Sequence, residues 1–169
     1  PALWLAESGQ AEILMINVNK DGYIDLEQME SVIKDRHEEI ALISVMHSNN
    51  EVGTIQPIKE IAKLAEAYKI PLHSDAVQSL GKVKLSFKDL GLFAMTVSAH
   101  KVGGPVGVAA LVLKKGVDIT PLLHGGGQER DIRSGTINAA GIASFVSATA
   151  SAIRDMESDY QKVFALRAK

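Results

Sequence analysis

The chain contains 169 residues, 46% of them hydrophobic, and carries a formal net charge of −2 at pH 7, so it can bury one sizeable core. This near-neutral charge gives no reason to expect nucleic acid or an anionic membrane as a partner. Cysteine is absent, which excludes disulfides, thiolate metal sites and a cysteine nucleophile within these residues. No apolar run reaches the ~18 residues of a membrane span, and no signal peptide follows Pro1. We therefore expect a cytoplasmic protein, and the lack of an initiating Met suggests a longer natural chain.

The first part of the chain alternates apolar runs with polar turns. Residues 13–18 form an apolar run that predicts a first strand, followed by a turn at Asp21-Gly22. Asp25 is placed to cap the helix that comes next. That helix is indicated by apolar residues on one face, namely Leu26, Met29, Val32 and Ile33. Residues 40–46 are nearly all apolar, which is typical of a strand buried on both faces of a parallel sheet.

The second part of the chain continues to alternate strands and helices. A polar loop at residues 47–57 leads into a helix at residues 58–68, whose apolar residues recur at three- and four-residue steps. Three further strands are predicted at residues 70–73, 93–97 and 107–113, and a long helix from residue 138 to the end. This alternation predicts an α/β protein with three layers, in which helices flank a mostly parallel sheet.

Two short segments are similar to known sites but depart from them. Residues 17–28 follow the spacing of an EF-hand calcium loop, yet Asn17 and Gln28 replace the usual Asp and bidentate Glu. A turn between a strand and a helix is the better interpretation, and the sequence predicts no metal site. His124-Gly-Gly-Gly127 is similar to the oxyanion loop of some esterases, but the Gly-x-Ser-x-Gly nucleophile motif is absent, and so is a P-loop.

Polar side chains follow three of the predicted strands at the point where each strand ends. They are Asn50, Asp75 and the run Ser98-Ala-His100-Lys101. In an open α/β sheet, ligands bind outside the carboxyl ends of the strands, so one crevice can receive all of them. Alone, Asp75 is equally well a helix cap and Lys101 an ordinary surface lysine. Together they offer an amine for an aldehyde, an acid for a pyridinium nitrogen and donors for a phosphate, which pyridoxal phosphate requires.

Four segments, in this order, resemble the motifs of cysteine desulfurases, which are pyridoxal-phosphate enzymes of the class V aminotransferase family. The segments are His47-Ser-Asn-Asn-Glu-Val-Gly53, His73-Ser-Asp-Ala-Val-Gln78, Ser98-Ala-His-Lys101 with Gly104-Pro105, and Gly125-Gly-Gly-Gln-Glu-Arg130 with Arg133-Ser-Gly-Thr136. Selenocysteine lyases are close relatives of these enzymes. The resemblance extends from Asn17 onward and implies an incomplete large domain of a fold-type I enzyme, with pyridoxal 5′-phosphate as cofactor.

The resemblance implies a catalytic role for one residue and cofactor contacts for three others. Lys101 would attach the cofactor covalently and later move the substrate proton. Asp75 would pair with the pyridinium nitrogen, so that the ring remains an electron sink. Gln78 would hydrogen-bond the phenolic oxygen of the cofactor, and Asn50 would reach the same oxygen or the carboxylate of the substrate.

Phosphate binding is implied for a second group of residues. Ser98 and His100 would bind the phosphate of the cofactor in the same subunit. Thr136 would bind the phosphate in the partner subunit, which makes the expected protein a homodimer. Arg130 and Arg133 offer guanidinium donors suited to an anion. They receive no role, because the relatives bind the substrate carboxylate with an arginine from a later part of the chain.

The implied reaction converts L-cysteine, or selenocysteine, to L-alanine. The sulfur passes to an acceptor or scaffold protein for iron–sulfur cluster or thiocofactor synthesis. Relatives use a cysteine of their own for this step, and no cysteine occurs here. We therefore interpret residues 1–137 as part of a cofactor-binding large domain and residues 138–169 as a helix leading toward a small domain. The alternatives are a non-catalytic assembly or binding module, and another class V lyase or aminotransferase.

Overall fold

Four short strands form the central sheet of the computed structural model, which describes residues 1–169. They are β1 (Ile43–Met46), β2 (Leu72–Asp75), β3 (Ala94–Ser98) and β4 (Ala109–Leu113). The spatial order is β1-β2-β3-β4; the first three strands run parallel and β4 is antiparallel to β3. The register aligns Met46 with Asp75 and Asp75 with Thr96. The carboxyl ends of β1, β2 and β3 therefore lie at one edge, which we call the carboxyl edge.

Four α-helices accompany the sheet. They are α1 (Ala2–Glu7), α2 (Leu26–Arg36), α3 (Ile58–Ala67) and α4 (Ala139–Arg167). The predicted cap of α2 is confirmed, because the Asp25 carboxylate accepts a hydrogen bond from the backbone N–H of Gln28 at 2.9 Å. Asn138 caps α4 in the same way, by accepting from the N–H of Gly141. No helix combines the length and the apolar character needed to cross a membrane.

The core lies between α2, α3 and one face of the sheet. We call this the core face; it consists of Ile43, Leu72, Met95 and Val97. The helices contribute buried apolar side chains that include Met29, Ile33, Ile58 and Ile61. Burying one such side chain stabilises the fold by about 1.5–3 kcal/mol. The predicted α/β class, with a mostly parallel sheet and flanking helices, is thus confirmed by the packing of this core.

Alternate residues of the same strands form the opposite face, which we call the polar face and define by Ser44, His73 and Thr96. The imidazole of His73 lies between the two hydroxyls, with Nδ1 2.8 Å from Ser44 Oγ and Nε2 2.9 Å from Thr96 Oγ1. Ser44 of β1 is exposed. The prediction that the strand at residues 40–46 is buried on both faces is therefore wrong. A hydrogen-bonded polar row suits this partly solvated surface.

The strand predicted at residues 13–18 does not form. Its only backbone bridge joins Val18 to Ile24 across the turn at Asp21-Gly22, and no other strand lies alongside to pair with it. Instead, the carboxylate of Glu12 binds the guanidinium of Arg36 through two hydrogen bonds, at 2.9 and 2.7 Å, and ties this segment to the end of α2. Without a partner strand, the backbone N–H and C=O groups of an apolar run cannot form the hydrogen bonds of a sheet.

The segment with EF-hand spacing forms the predicted turn before α2. Its side-chain oxygens accept hydrogen bonds from its own backbone. Asn19 Oδ1 accepts from the N–H groups of Asp21 and Tyr23, and Gln28 Oε1 accepts from the N–H of Asn17 at 2.7 Å. These contacts account for the asparagine and glutamine at positions where the calcium loop has acidic residues.

Candidate active site

Asp75 ends β2 and is fixed from both sides by the neighbouring strands. Its carbonyl oxygen accepts from the N–H of His47 at 2.7 Å, and the next residue, Ala76, donates its N–H to the carbonyl oxygen of Thr96 at 2.9 Å. Within the half-buried carboxylate, Oδ1 accepts from the N–H of Val77. The capping interpretation of Asp75 is therefore confirmed for the turn that follows β2, and its pairing with a ring nitrogen stays a prediction. No protein donor binds Oδ2, which leaves this oxygen free for a ligand.

Ser98, His100 and Lys101 lie together directly after β3. Ser98 is buried, and its Oγ lies 2.8 Å from Nδ1 of His100. Residues Ala99–Val102 form a 3₁₀ turn, whose end requires glycine because a Cβ at Gly104 would lie 3.0 Å from the carbonyl oxygen of Ala99. Since the side chains of His100 and Lys101 are exposed, this turn presents an imidazole and an amine to solvent beside the end of β2.

Gln78 lies in the turn after β2, three residues beyond Asp75. Its side chain is half-buried, and Oε1 accepts a hydrogen bond from Nζ of Lys82 at 2.9 Å. Burial lowers the pKa of Lys82, and the positive charge of Lys101 lowers this pKa further. The turn after β2 and the turn after β3 lie in contact, because a Cβ built on Gly81 would lie 3.5 Å from Cγ1 of Val102. The structure therefore brings Asp75, Gln78 and Lys101 to the same edge of the sheet.

Asn50 lies in the loop that follows β1. The loop is folded by its own backbone, since Asn49 Oδ1 accepts from the N–H groups of Glu51 and Val52 at 2.9 and 3.0 Å. Thr54 fastens it to the turn before α2, by donating its hydroxyl to the carbonyl oxygen of Asp21. Asn50 itself is exposed, and its side chain makes no hydrogen bond within the protein.

A buried polar cluster, not predicted from the sequence, joins this loop to the turn after β2. Nδ1 of His47 lies 3.0 Å from Ser48 Oγ and 2.9 Å from Ser79 Oγ, and the two hydroxyl oxygens are 2.7 Å apart. Burial lowers the pKa of His47, which favours the neutral ring. The cluster therefore holds the segments that carry Asn50 and Gln78 against each other. The sequence signal that could have indicated this cluster is the pair of polar residues, His47 and Ser48, directly after an apolar strand.

Thr136 and the two arginines lie apart from this group. Thr136 is exposed, and no hydrogen bond joins it to the residues at the carboxyl edge. Arg130 has a left-handed backbone with a φ of 57°, and Nη1 of Arg133 donates to the carbonyl oxygen of Gly135 at 3.3 Å. The role expected of Thr136 toward a partner subunit stays a prediction.

The residues at the carboxyl edge fit pyridoxal phosphate by the chemistry of their donors and acceptors. Asp75 has a free carboxylate oxygen for a protonated ring nitrogen, Lys101 has an exposed amine, and Ser98 with His100 forms a pair suited to an anion. A ligand that carries an aldehyde, a basic ring nitrogen and a phosphate could bind the amine, the carboxylate and the Ser98–His100 pair, respectively. These groups lie outside the carboxyl ends of the strands, which is where ligands bind in open α/β sheets.

The chain belongs to the class V aminotransferase family, whose sequence model matches residues 1–162. It is 42% identical to an IscS-like cysteine desulfurase of Mycobacterium tuberculosis over 164 residues, which are 97% of this chain and 42% of that protein. It is 41% identical to the cysteine desulfurase NifS of Azotobacter vinelandii, over 98% of this chain and 40% of that protein. The resemblance inferred from the four motifs is confirmed.

Solved structures agree with these relatives. A NifS-like protein from Rickettsia africae, whose X-ray structure is known, superposes with a TM-score of 0.91 at 37% identity. The match covers 99% of this chain and 46% of that one. The chain therefore spans less than half the length of each of these three relatives.

Proposed function

We propose that this chain provides the cofactor-binding centre of a cysteine desulfurase that uses pyridoxal 5′-phosphate. The observation that carries the proposal is that the free Asp75 carboxylate oxygen, Gln78 and Lys101 all lie at or just after the carboxyl ends of β2 and β3, which are neighbouring parallel strands. When bound, the cofactor supplies a conjugated pyridinium ring that takes up the electron pair left on the substrate Cα. The names of the relatives support L-cysteine as the substrate.

Lys101 is the catalytic residue in this proposal. Its Nζ would hold the cofactor at its aldehyde group, and its amine would move the proton at the substrate Cα. Both tasks need a neutral amine for part of the time.

The other residues hold the cofactor in this proposal. Oδ2 of Asp75 would keep the proton on the ring nitrogen, and the Nε2–H groups of Gln78 would donate to the phenolic oxygen. The amide of Asn50 would reach the same oxygen or the carboxylate of the substrate. Ser98 and His100 bind the phosphate as a pair, in which one of the two groups donates to the phosphate and the other donates across the 2.8 Å contact between Ser98 Oγ and His100 Nδ1. Thr136 binds the phosphate in the partner subunit of a homodimer.

The proposed net reaction breaks the Cβ–S bond of L-cysteine and forms an S–S bond on an acceptor thiol, giving L-alanine and a persulfide. The thiol comes from outside these residues, because the chain contains no cysteine. Sulfur then passes to an acceptor protein for the synthesis of iron–sulfur clusters or thiocofactors. Selenocysteine is the alternative substrate, and sulfide and selenide assays distinguish the two.

Cofactor binding is tested by titrating the protein with pyridoxal phosphate and recording the absorbance of a lysine-bound cofactor. We expect a saturable band in the wild type and its loss in Lys101→Ala. Lys114→Ala is the matched control, because Lys114 follows β4 and lies near Phe93, at the opposite end of β3. If Lys101→Ala retains the band, the proposed site is wrong. If the wild type binds no cofactor, a non-catalytic assembly module becomes the better interpretation.

A further inference from the structure

Gly81, the residue before Lys82, packs closely against α4 and is in van der Waals contact with the turn after β3. Gly81 has a φ of +72°, and a Cβ built on it would lie 2.6 Å from Cβ of Ala152 and 3.5 Å from Cγ1 of Val102. A glycine is required for this approach and for this backbone conformation. Since Val102 directly follows Lys101, the packing of Gly81 sets Lys82 beside the proposed catalytic lysine.

The ammonium of Lys82 can recognise only one end of the Gln78 amide. Nζ of Lys82 donates to Oε1 of Gln78 at 2.9 Å. A lysine ammonium carries donors and no acceptor, so it binds the amide oxygen and repels the NH₂ group. A glutamine without such a partner can turn either end toward a ligand. With Oε1 held by Lys82, the NH₂ group of Gln78 makes no hydrogen bond within the protein and remains free to donate.

We propose that Lys82 is a positioning residue, which holds Oε1 of Gln78 so that the Nε2–H group faces an anionic oxygen of the bound ligand. This inference rests on the proposed function, in which that oxygen is the phenolic oxygen of pyridoxal phosphate. The lowered pKa of Lys82, caused by burial and then by the charge of Lys101, supports the placement of its ammonium near the site. Lys82 contacts the ligand only through Gln78.

The inference is tested first without cofactor, by two-dimensional NMR of the side-chain amide of Gln78. Lys82→Met removes the charged donor, and Lys82→Arg replaces it with another side chain that only donates. Lys84→Met is the matched control, because Lys84 is an exposed lysine two residues away that makes no side-chain hydrogen bond. We expect Lys82→Met to shift the Gln78 amide signals, and Lys84→Met to leave them in place. Unchanged signals in Lys82→Met would overturn the inference.

The second test uses the protein loaded with pyridoxal phosphate. We expect Lys82→Met to weaken cofactor binding about threefold to tenfold, the range of one hydrogen bond, and Lys82→Arg to restore most of the affinity. In a Gln78→Ala background, Lys82→Met should have little further effect, because the amide it positions is gone. Equal losses in both backgrounds would contradict the inference. If the wild type binds no cofactor, the proposed function fails, and the NMR result alone decides the role of Lys82.

Discussion

The two faces of the central sheet are built from alternate residues of the same strands, but they differ in what they contact. On the core face, Leu72 is only 2% exposed and packs with the apolar side chains of α2 and α3. On the polar face, His73 is held by hydroxyls, and Leu111 of β4 is 50% exposed. The core face therefore holds the packed side chains that stabilise the sheet. The residues proposed to bind the cofactor lie elsewhere, at the carboxyl edge.

The largest effect should come from truncating a leucine on the core face. We expect Leu72→Ala to lower the free energy of unfolding by about 2–5 kcal/mol, because it leaves a cavity among packed side chains. Leu111→Ala makes the same chemical change on the polar face and should cost less than about 1 kcal/mol. Urea unfolding followed by circular dichroism measures both. Equal losses would show that the two faces do not differ as described.

A smaller effect is expected at the carboxyl edge, where Gly81 tests how closely the turn after β2 is packed. Gly81→Ala should cost about 2–3 kcal/mol, since it combines backbone strain with a collision against Ala152. Gly116→Ala is the control, because Gly116 has a similar φ of +82° but no atom within 4 Å of an added Cβ. It should cost about 1 kcal/mol, the strain alone. If both variants lose the same stability, the close packing of Gly81 against α4 is wrong.

The smallest effect should come from pH, which acts on the polar face and the carboxyl edge through two histidines. Burial lowers the pKa of His47 and of His73 below the ordinary value of 6.5, and the charge of Asp75 partly offsets the shift of His73. Below pH 6.5 these histidines bind protons more readily in the unfolded chain than in the folded chain. The free energy of unfolding should therefore decrease as the pH falls below 6.5. NMR titration of each ring should give a midpoint below 6.5, and a midpoint at or above it would contradict the burial of that ring.

Local patterns in the sequence predict much of this fold. Helical spacing and capping residues predict α2, α3 and α4, and the apolar runs predict the four strands of the sheet within a few residues. The site follows from the same information, because a polar residue after an apolar strand falls at the carboxyl edge of a parallel sheet. Asp75, Ser98 and Lys101 could be placed in this way.

Contacts between distant segments could not be predicted from local patterns. The run at residues 13–18 has the composition of a strand, but whether it pairs depends on a neighbour that the run itself does not encode. The cluster of His47 and Ser79 and the hydrogen bond from Lys82 to Gln78 likewise depend on how two turns pack. The short helix α1 was not predicted either, since it buries no side chain and so lacks a clear apolar face.

The most direct measurement of the central claim is to reduce the protein with borohydride in the presence of pyridoxal phosphate and to map the modified lysine by mass spectrometry. If the strand ends gather one cofactor site, the phosphopyridoxyl group will be found on Lys101, and substitution of Asp75 by asparagine will lower its yield. A modification spread over the surface lysines, or an unmodified Lys101, would contradict the claim.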